Sequence, residues 1–318
     1  MKITFLNNPN LSGNSADEKH DARIKEIEPH LEEFIKNNKY LKYEEVSIEF
    51  AHTGVASFVM FMQADKKYVL KIALSSYSAG ENEFLKMWQE AGVRVPEIYE
   101  TGKILSYEYI LMEFIDAPIL QNAYSEEELH SLGKYKEAGS ILRTIHKPIA
   151  EGFGQYRDGK GEYDSFPEYF ESEDYQKRVR MIKEQNLLEE KHGSLQKMKE
   201  VLYAFIEENP QPSCCHFDYS LGHIFATEPL TVFDPAPHIN NRYIDTGRTI
   251  VNYLAHGKYP EQFVEGYFEN EEKDEQMLHA SIMFNVLYKL PYIHKKGKTE
   301  FVDNLLTYLV ENRFKLER

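Results

Sequence analysis

Cysteine is nearly absent: 318 residues carry two, and they are neighbours, Cys214 and Cys215. A bridge between adjacent residues would be strained. A disulfide framework is therefore excluded, a reducing compartment is expected, and both thiols read as small buried hydrophobes. No apolar run approaches the ~18 residues that span a bilayer, so no membrane helix is expected. The opening segment, Met1 to Pro9, has only a few weakly apolar side chains before polar ones return, too few for a secretory core. The expectation is a cytoplasmic protein without membrane contact. Positive charge is scarce too, with 37 Lys and Arg against 52 Asp and Glu and a formal net charge of −15. A nucleic-acid partner normally demands a basic face, so none is expected. The same imbalance favours cationic ligands by steering. Internal repeats and low-complexity stretches are lacking.

What remains is the composition of an ordinary globular protein, 42% hydrophobic and 13% aromatic, long enough for about two lobes. Ile24, Ile27, Leu31, Phe34 and Ile35 recur at helical spacing and predict a helix over 17–38, with Pro29 as a possible kink. The period then changes to two. Val46, Ile48 and Phe50, the turn at His52-Thr53-Gly54, and the run 58–62 read as strand, turn, strand. A third strand follows at 68–74, a helix at about 80–91 ending at Gly92, and two further strands at 96–99 and 107–114. From Asp116-Ala117-Pro118 onward the pattern is helical. One stripe is Leu132, Tyr135, Ala138, Leu142 and Ile145; another is Leu195, Met198, Leu202 and Phe205. Residues 151–175 read as a loop carrying short helices. The expected organisation is a helical extension at 1–40, a small lobe at 41–116 and a larger helical lobe at 117–318.

The chemistry concentrates between Cys215 and Pro235. Residues 223–226 and 231–234 are short apolar runs around a turn signal, 227–230. A symmetric four-residue turn sets 226 opposite 231 and therefore His223 opposite Asp234. Directly opposed side chains share a face, with Cβ atoms ~4.5–5.5 Å apart, so one cation would reach both. Asp218 lies on the loop feeding the same end.

That spacing resembles the catalytic loop of the aminoglycoside phosphotransferase and choline kinase family, His-x-Asp-x-x-x-x-Asn followed by a strand ending in Asp. The resemblance implies a protein-kinase-like α+β fold: a five-stranded antiparallel lobe with one helix, then a helical lobe. It implies Asp218 as catalytic base, Asp234 as principal Mg²⁺ ligand and His216 as an orienting residue. The asparagine position holds His223. Mg²⁺ prefers oxygen ligands, so this departure puts a second metal in question, although aminoglycoside 2″-phosphotransferases look similar in carrying His there.

Upstream residues fit the same family. Lys71 lies centrally in an apolar strand, where an unpaired ammonium is costly. Its partner is expected on the helix at 80–91. Glu81 shares a face with Phe84, Leu85 and Trp88, whereas Glu83 falls about 200° away, so Glu81 is the residue that reaches the strand. The turn has one glycine, and Gly54 and Ser57 are its candidates for holding phosphate. The segment 109–116 resembles the strand and hinge that receive a purine, with Met112 beside the base and the backbones of Glu113 and Ile115 on its edge. ATP is favoured by the slim Met112, and GTP stays open. His146 reads as structural and Asp245 as a cap or supporting group.

The acceptor is expected to be a hydroxyl on a cationic small molecule, with Asp158, Glu162, Asp164, Glu168 and Glu171 offering an acidic lining. An aminoglycoside antibiotic is the first choice; choline, a ketosamine and another amino alcohol are the alternatives. A monomer or weak homodimer is anticipated. A rival of another class is an inactive nucleotide-binding pseudokinase. A protein kinase is disfavoured, because no Ala-Pro-Glu element follows Asp234.

Overall fold

Two periodicities build the amino-terminal lobe. The computed structural model describes residues 1–9, 18–51, 56–75 and 78–316. Strand β1 (Lys2–Phe5), which the sequence reading did not anticipate, runs parallel to β2 (Glu45–Phe50). An antiparallel set follows: β3 (Ser57–Gln63), β4 (Lys67–Ala73), β5 (Ile98–Ile104) and β6 (Tyr107–Glu113). The sheet thus has six strands rather than five, in the order β1-β2-β3-β4-β6-β5.

One face of that sheet presents Val46, Ile48, Phe50, Met60, Met62, Leu70 and Ile72. These pack with Ile24, Ile27, Leu31 and Ile35 of helix α1 (Glu18–Asn37) in one buried cluster. The expected extension at 1–40 therefore shares the core of the small lobe. Pro29 does not split α1. It sits on the exposed side, where the carbonyl that the missing N–H leaves free is open to solvent.

Helix α2 (Glu81–Glu90) buries Glu81, Phe84, Leu85 and Trp88, the stripe read from sequence. These apolar side chains belong to the core of the larger lobe, together with Val93 and Val95. The two hydrophobic cores thus divide in the chain before β5 and β6 complete the sheet.

The larger lobe is helical, with long helices at Lys134–Ile145, Leu195–Glu208, Arg242–Ala255, Glu275–Lys295 and Thr299–Asn312. Leu132 is corrected from the first stripe: it caps the preceding short helix and is exposed, while Tyr135, Ala138, Leu142 and Ile145 are buried. A second correction concerns 151–175, which is not merely a loop with short helices. Strands β7 (Phe153–Arg157) and β8 (Lys160–Tyr163) form a hairpin there. With β9 (Ser213–Cys215) and, beyond the hairpin β10 (Ile224–Phe225) and β11 (Thr231–Val232), with β12 (His238–Asn240), they make a four-stranded sheet ordered β8-β7-β12-β9. Cys214 and Cys215 are fully buried in β9, and burial pushes the Cys214 thiol up to about 12. Among the described residues no helix is long and apolar enough to cross a membrane.

Candidate active site

Lys71 points from β4 toward the larger lobe, on the face opposite the α1 core, and is buried. Its Nζ lies 2.6 Å from Glu81 Oε2 and 2.5 Å from Asp234 Oδ1. Burial opposes the charge on Lys71, but the two carboxylates outweigh it and hold the ammonium above its ordinary value. Burial raises the Glu81 carboxyl to about 7 against the pull of Lys71. Asp234 is held below the usual carboxylate range: burial works against this, and Lys71 and then His223 prevail. Removing either partner of the buried Lys71–Glu81 pair leaves an uncompensated charge, at about 3–5 kcal/mol.

The hairpin register read from sequence is off by one. Ile224 pairs with Val232 and Phe225 with Thr231, so His223 faces Phe233 rather than Asp234. Ala226 directs its N–H to Pro118 O instead of across the hairpin, which lengthens the turn. Asp234 still reaches the site because its backbone is left-handed, φ 56°. Its Oδ2 lies 3.7 Å from His223 Nε2.

The tautomer of His223 follows from its other nitrogen. Nδ1 is 2.6 Å from the carbonyl oxygen of Asp218, which only accepts, so Nδ1 carries the proton. Nε2 faces Asp234. His216 is a brace. Its Nε2 bonds Phe233 O at 3.1 Å, and its ring stacks between Trp88 of α2 and His223. Burial, then the charge of His223, lowers His216 to about 4.

The loop bearing Asp218 is held from below by Asp245. This fully buried carboxylate accepts the backbone N–H groups of His216 at 2.9 Å and Phe217 at 3.0 Å. It also bonds His146 Nε2 at 2.9 Å, and His146 Nδ1 meets the Tyr267 hydroxyl at 2.6 Å. The network holds Phe217 left-handed at φ 59°, a conformation that costs a bulky residue roughly 1–3 kcal/mol. His146, read from sequence as structural, and Asp245, read as a cap or supporting group, meet in this network.

The remaining predicted residues are more dispersed. Gly54 lies outside the described residues. Ser57 opens β3 opposite Ala73, on the same face as Lys71, two positions along the strand. Met112 is buried in β6. The N–H of Glu113 is spent on Glu97 O, and its carboxylate holds Arg94 at 2.6 Å, which leaves only its carbonyl for a base edge. Among the described residues nothing takes the N–H of Ile115.

Asp218 borders an open cavity of about 1090 Å³ lined by the larger lobe. None of the five acidic residues expected to line the acceptor pocket does so. Glu162, Asp164 and Glu171 pair instead with Arg157, Lys160 and Lys199, and Glu168 accepts the N–H of Asp164 at 3.2 Å. The sequence reading missed Arg178, Arg248 and Lys289, which do line the cavity. The available signal was Lys289, the one charge in the stretch from Ala280 to Pro291.

A strand lysine held by a helix glutamate, over a hairpin aspartate and a loop aspartate, on two lobes of this design, defines a protein-kinase-like phosphotransferase acting on small-molecule hydroxyl groups. The family model described as fructosamine kinase matches residues 27–304, and the chain belongs to that family. Its fold is similar to that of a thermostable mutant of the aminoglycoside phosphotransferase APH(4)-Ia in a ternary complex with ADP and hygromycin B. That structure has 15% identity and TM-score 0.59, over 89% of this chain and 98% of the other. A putative fructosamine-3-kinase from Thermobifida fusca has 15% identity and TM-score 0.53, over 88% and 98%. A choline/ethanolamine kinase family protein from Mesorhizobium loti has 15% identity and TM-score 0.54, over 89% and 93%. No curated protein sequence matches the chain closely enough to count as a relative.

Proposed function

We propose that the protein transfers the γ-phosphate of ATP or GTP to a sugar hydroxyl of a ketosamine, by direct in-line displacement. The observation that carries this reading is Lys71 clamped between Glu81 and Asp234, with Asp218 lining the neighbouring cavity. Residues 41–116 bind the nucleotide and 117–318 the acceptor. Lys71 grips the α- and β-phosphates, Ser57 and Gly54 hold phosphate oxygens, and the purine edge meets Glu113 and Ile115 beside Met112. Asp218 orients the acceptor hydroxyl and takes its proton. His216 keeps the Asp218 loop in step with the Asp234 hairpin.

The family implies Mg²⁺. Asp234 Oδ2 is the oxygen donor that would hold the ion, and His223 Nε2, 3.7 Å away, stands where an oxygen ligand would suit Mg²⁺ better. Bound there, a divalent cation supplies neutralisation of the phosphate oxygens. Positioning and fixed charge provide the rest of the rate.

A ketosamine is preferred to an aminoglycoside for two reasons. The family model is that of fructosamine kinases, and the cavity wall is cationic, a poor host for a polyamine. A coupled nucleotide-consumption assay with ATP and GTP against fructosamines, aminoglycosides, choline and sugar amines tests the reading. Turnover is expected on fructosamines. Turnover on aminoglycosides alone would overturn the acceptor, and nucleotide binding with no hydrolysis at all would mark an inactive pseudokinase.

A further inference from the structure

The molecule carries a formal charge of −15, yet the cavity beside Asp218 reverses that sign. Arg178, Arg248, Lys258, Lys289, Lys296 and Lys298 line it, against two carboxylates, Asp218 and Glu126. Glu126 is already committed to Lys258 at 2.6 Å and to the Tyr135 hydroxyl at 3.0 Å, and Arg178 has Asp174 at 3.4 Å. Among the described residues no carboxylate lies within 4.0 Å of Arg248 or Lys289.

These two cations are brought together by the packing of their helices. Gly247 lets Arg242–Ala255 approach Glu275–Lys295 so closely that an added Cβ would meet the Ser281 carbonyl carbon at 2.8 Å. Arg248 donates Nε to Phe217 O, directly behind Asp218, and its guanidinium lies 4.1 Å from the Phe217 ring centre and 5.0 Å from that of Tyr288. Its Nη1 is buried and has no hydrogen-bond partner among the described residues. Lys289 donates to Asn252 Oδ1. Burial and the neighbouring Arg248 lower its ammonium to about 7, while Asp218 and Asp245 pull the other way. A fold that holds two like charges together at a partly desolvated wall loses stability unless an anion completes the set.

We infer that the wall formed by Arg248 and Lys289 is an anion subsite, and that the physiological acceptor carries a carboxylate or phosphate group in addition to the hydroxyl presented to Asp218. This rests on the kinase reading above and sharpens it: the acceptor is anionic at one end, the reverse of the cationic molecule that overall charge suggests. A ketosamine formed on the amino group of an amino acid has this character.

The test compares N-(1-deoxyfructosyl)glycine with N-(1-deoxyfructosyl)methylamine, which differ by a carboxylate, in wild type and in Lys289→Met. It adds thermal unfolding of the full chain with gluconate, sorbitol 6-phosphate or sorbitol in the presence of magnesium and a non-hydrolysable nucleotide. The expected result is a kcat/KM at least about tenfold higher for the glycine adduct, the size of a charge-assisted pair, with the preference lost in Lys289→Met. Gluconate or sorbitol 6-phosphate should raise Tm where sorbitol does not, and which of the two acts tells carboxylate from phosphate. Without ligand, Lys289→Met should melt no lower than wild type, since it removes a repelled charge; a lower Tm would overturn the like-charge argument. Equal turnover of the two adducts overturns the subsite and leaves the ketosamine reading standing. If neither adduct turns over but an anion still raises Tm in wild type and not in the variant, the subsite stands and the ketosamine reading falls. If neither adduct turns over and no anion acts, the subsite is overturned.

Discussion

Asp218 is among the least enclosed of the acidic groups at the centre of the molecule, with 53% of its side chain exposed. Its position is set through the backbone instead, by the bonds that Asp245 accepts from His216 and Phe217 and by the grip of His223 on its carbonyl. A side chain placed this way can be changed without disturbing its supports. Asp218→Asn should therefore fold normally and lose ~10²–10⁴ in kcat, the range of a general base. Stopped-flow or steady-state phosphoryl transfer checks this, and a variant with wild-type turnover would remove Asp218 from that role. Asp245→Asn is a contrasting case. It removes a buried carboxylate that satisfies two backbone N–H groups and a histidine, so loss of stability and loss of activity are expected together.

At the scale of elements, α2 is the piece on which the site depends. Gly80 precedes it in the left-handed region, φ 77°, and an added Cβ would stand 2.4 Å from Tyr156 Cδ1 of β7. Tyr156 also donates to Glu83 Oε2 and packs its ring edge-on to Phe84. Gly80→Ala should thus cost about 1–3 kcal/mol. It should also lower kcat by pushing Glu81 away from Lys71, whereas Ala at exposed Lys86 of the same helix should do neither; paired chemical denaturation and activity assays check both. How far the sequence revealed this element is instructive. The stripe 81, 84, 85, 88 was legible because helical period alone selects it, and the choice of Glu81 over Glu83 followed. The β7–β8 hairpin that clamps it was not, since Gly152, Gly154, Gly159 and Gly161 disguise alternation as loop. The Asp234 register slipped because one N–H, that of Ala226, leaves the hairpin for Pro118, a contact between distant segments. The acceptor wall was hidden for a related reason: Arg178, Arg248 and Lys289 come from three helices and form no motif in the chain.

For the molecule as a whole, buried histidines set the response to acid. His238 and His279 are both buried; burial, with Arg248 nearby in one case and Lys315 in the other, lowers them to about 3 and about 4. Unfolded histidine takes up its proton near pH 6.5. Between about pH 6.5 and 4 the unfolded chain therefore binds protons that the native state refuses, and stability rises with pH across that window. Each residue contributes a slope of up to about 1.4 kcal/mol per pH unit. The histidine contribution should be level above about pH 6.5 and fall below it; Glu81, raised from 4.5 to about 7, opposes it between those values, and Lys289, lowered from 10.5 to about 7, adds a rise with pH above 7. Neither ring nitrogen of His279 finds a hydrogen-bond partner among the described residues, so His279→Leu should raise Tm at pH 5 more than at pH 7. Thermal melts across this range provide the check, and an unchanged slope in the variant would contradict the assignment.

The division of the cores has a consequence for how the nucleotide site can move. Phe84, Leu85 and Trp88 are anchored in the larger lobe's interior. Swinging that helix outward to part Glu81 from Lys71 would hydrate all three, at about 1.5–3 kcal/mol each, or roughly 5–9 kcal/mol. That is comparable to the net stability of a typical domain, about 5–15 kcal/mol. Helix displacement is thus a costly way to part the ion pair, and an opening that admits the triphosphate is expected to leave this helix in place.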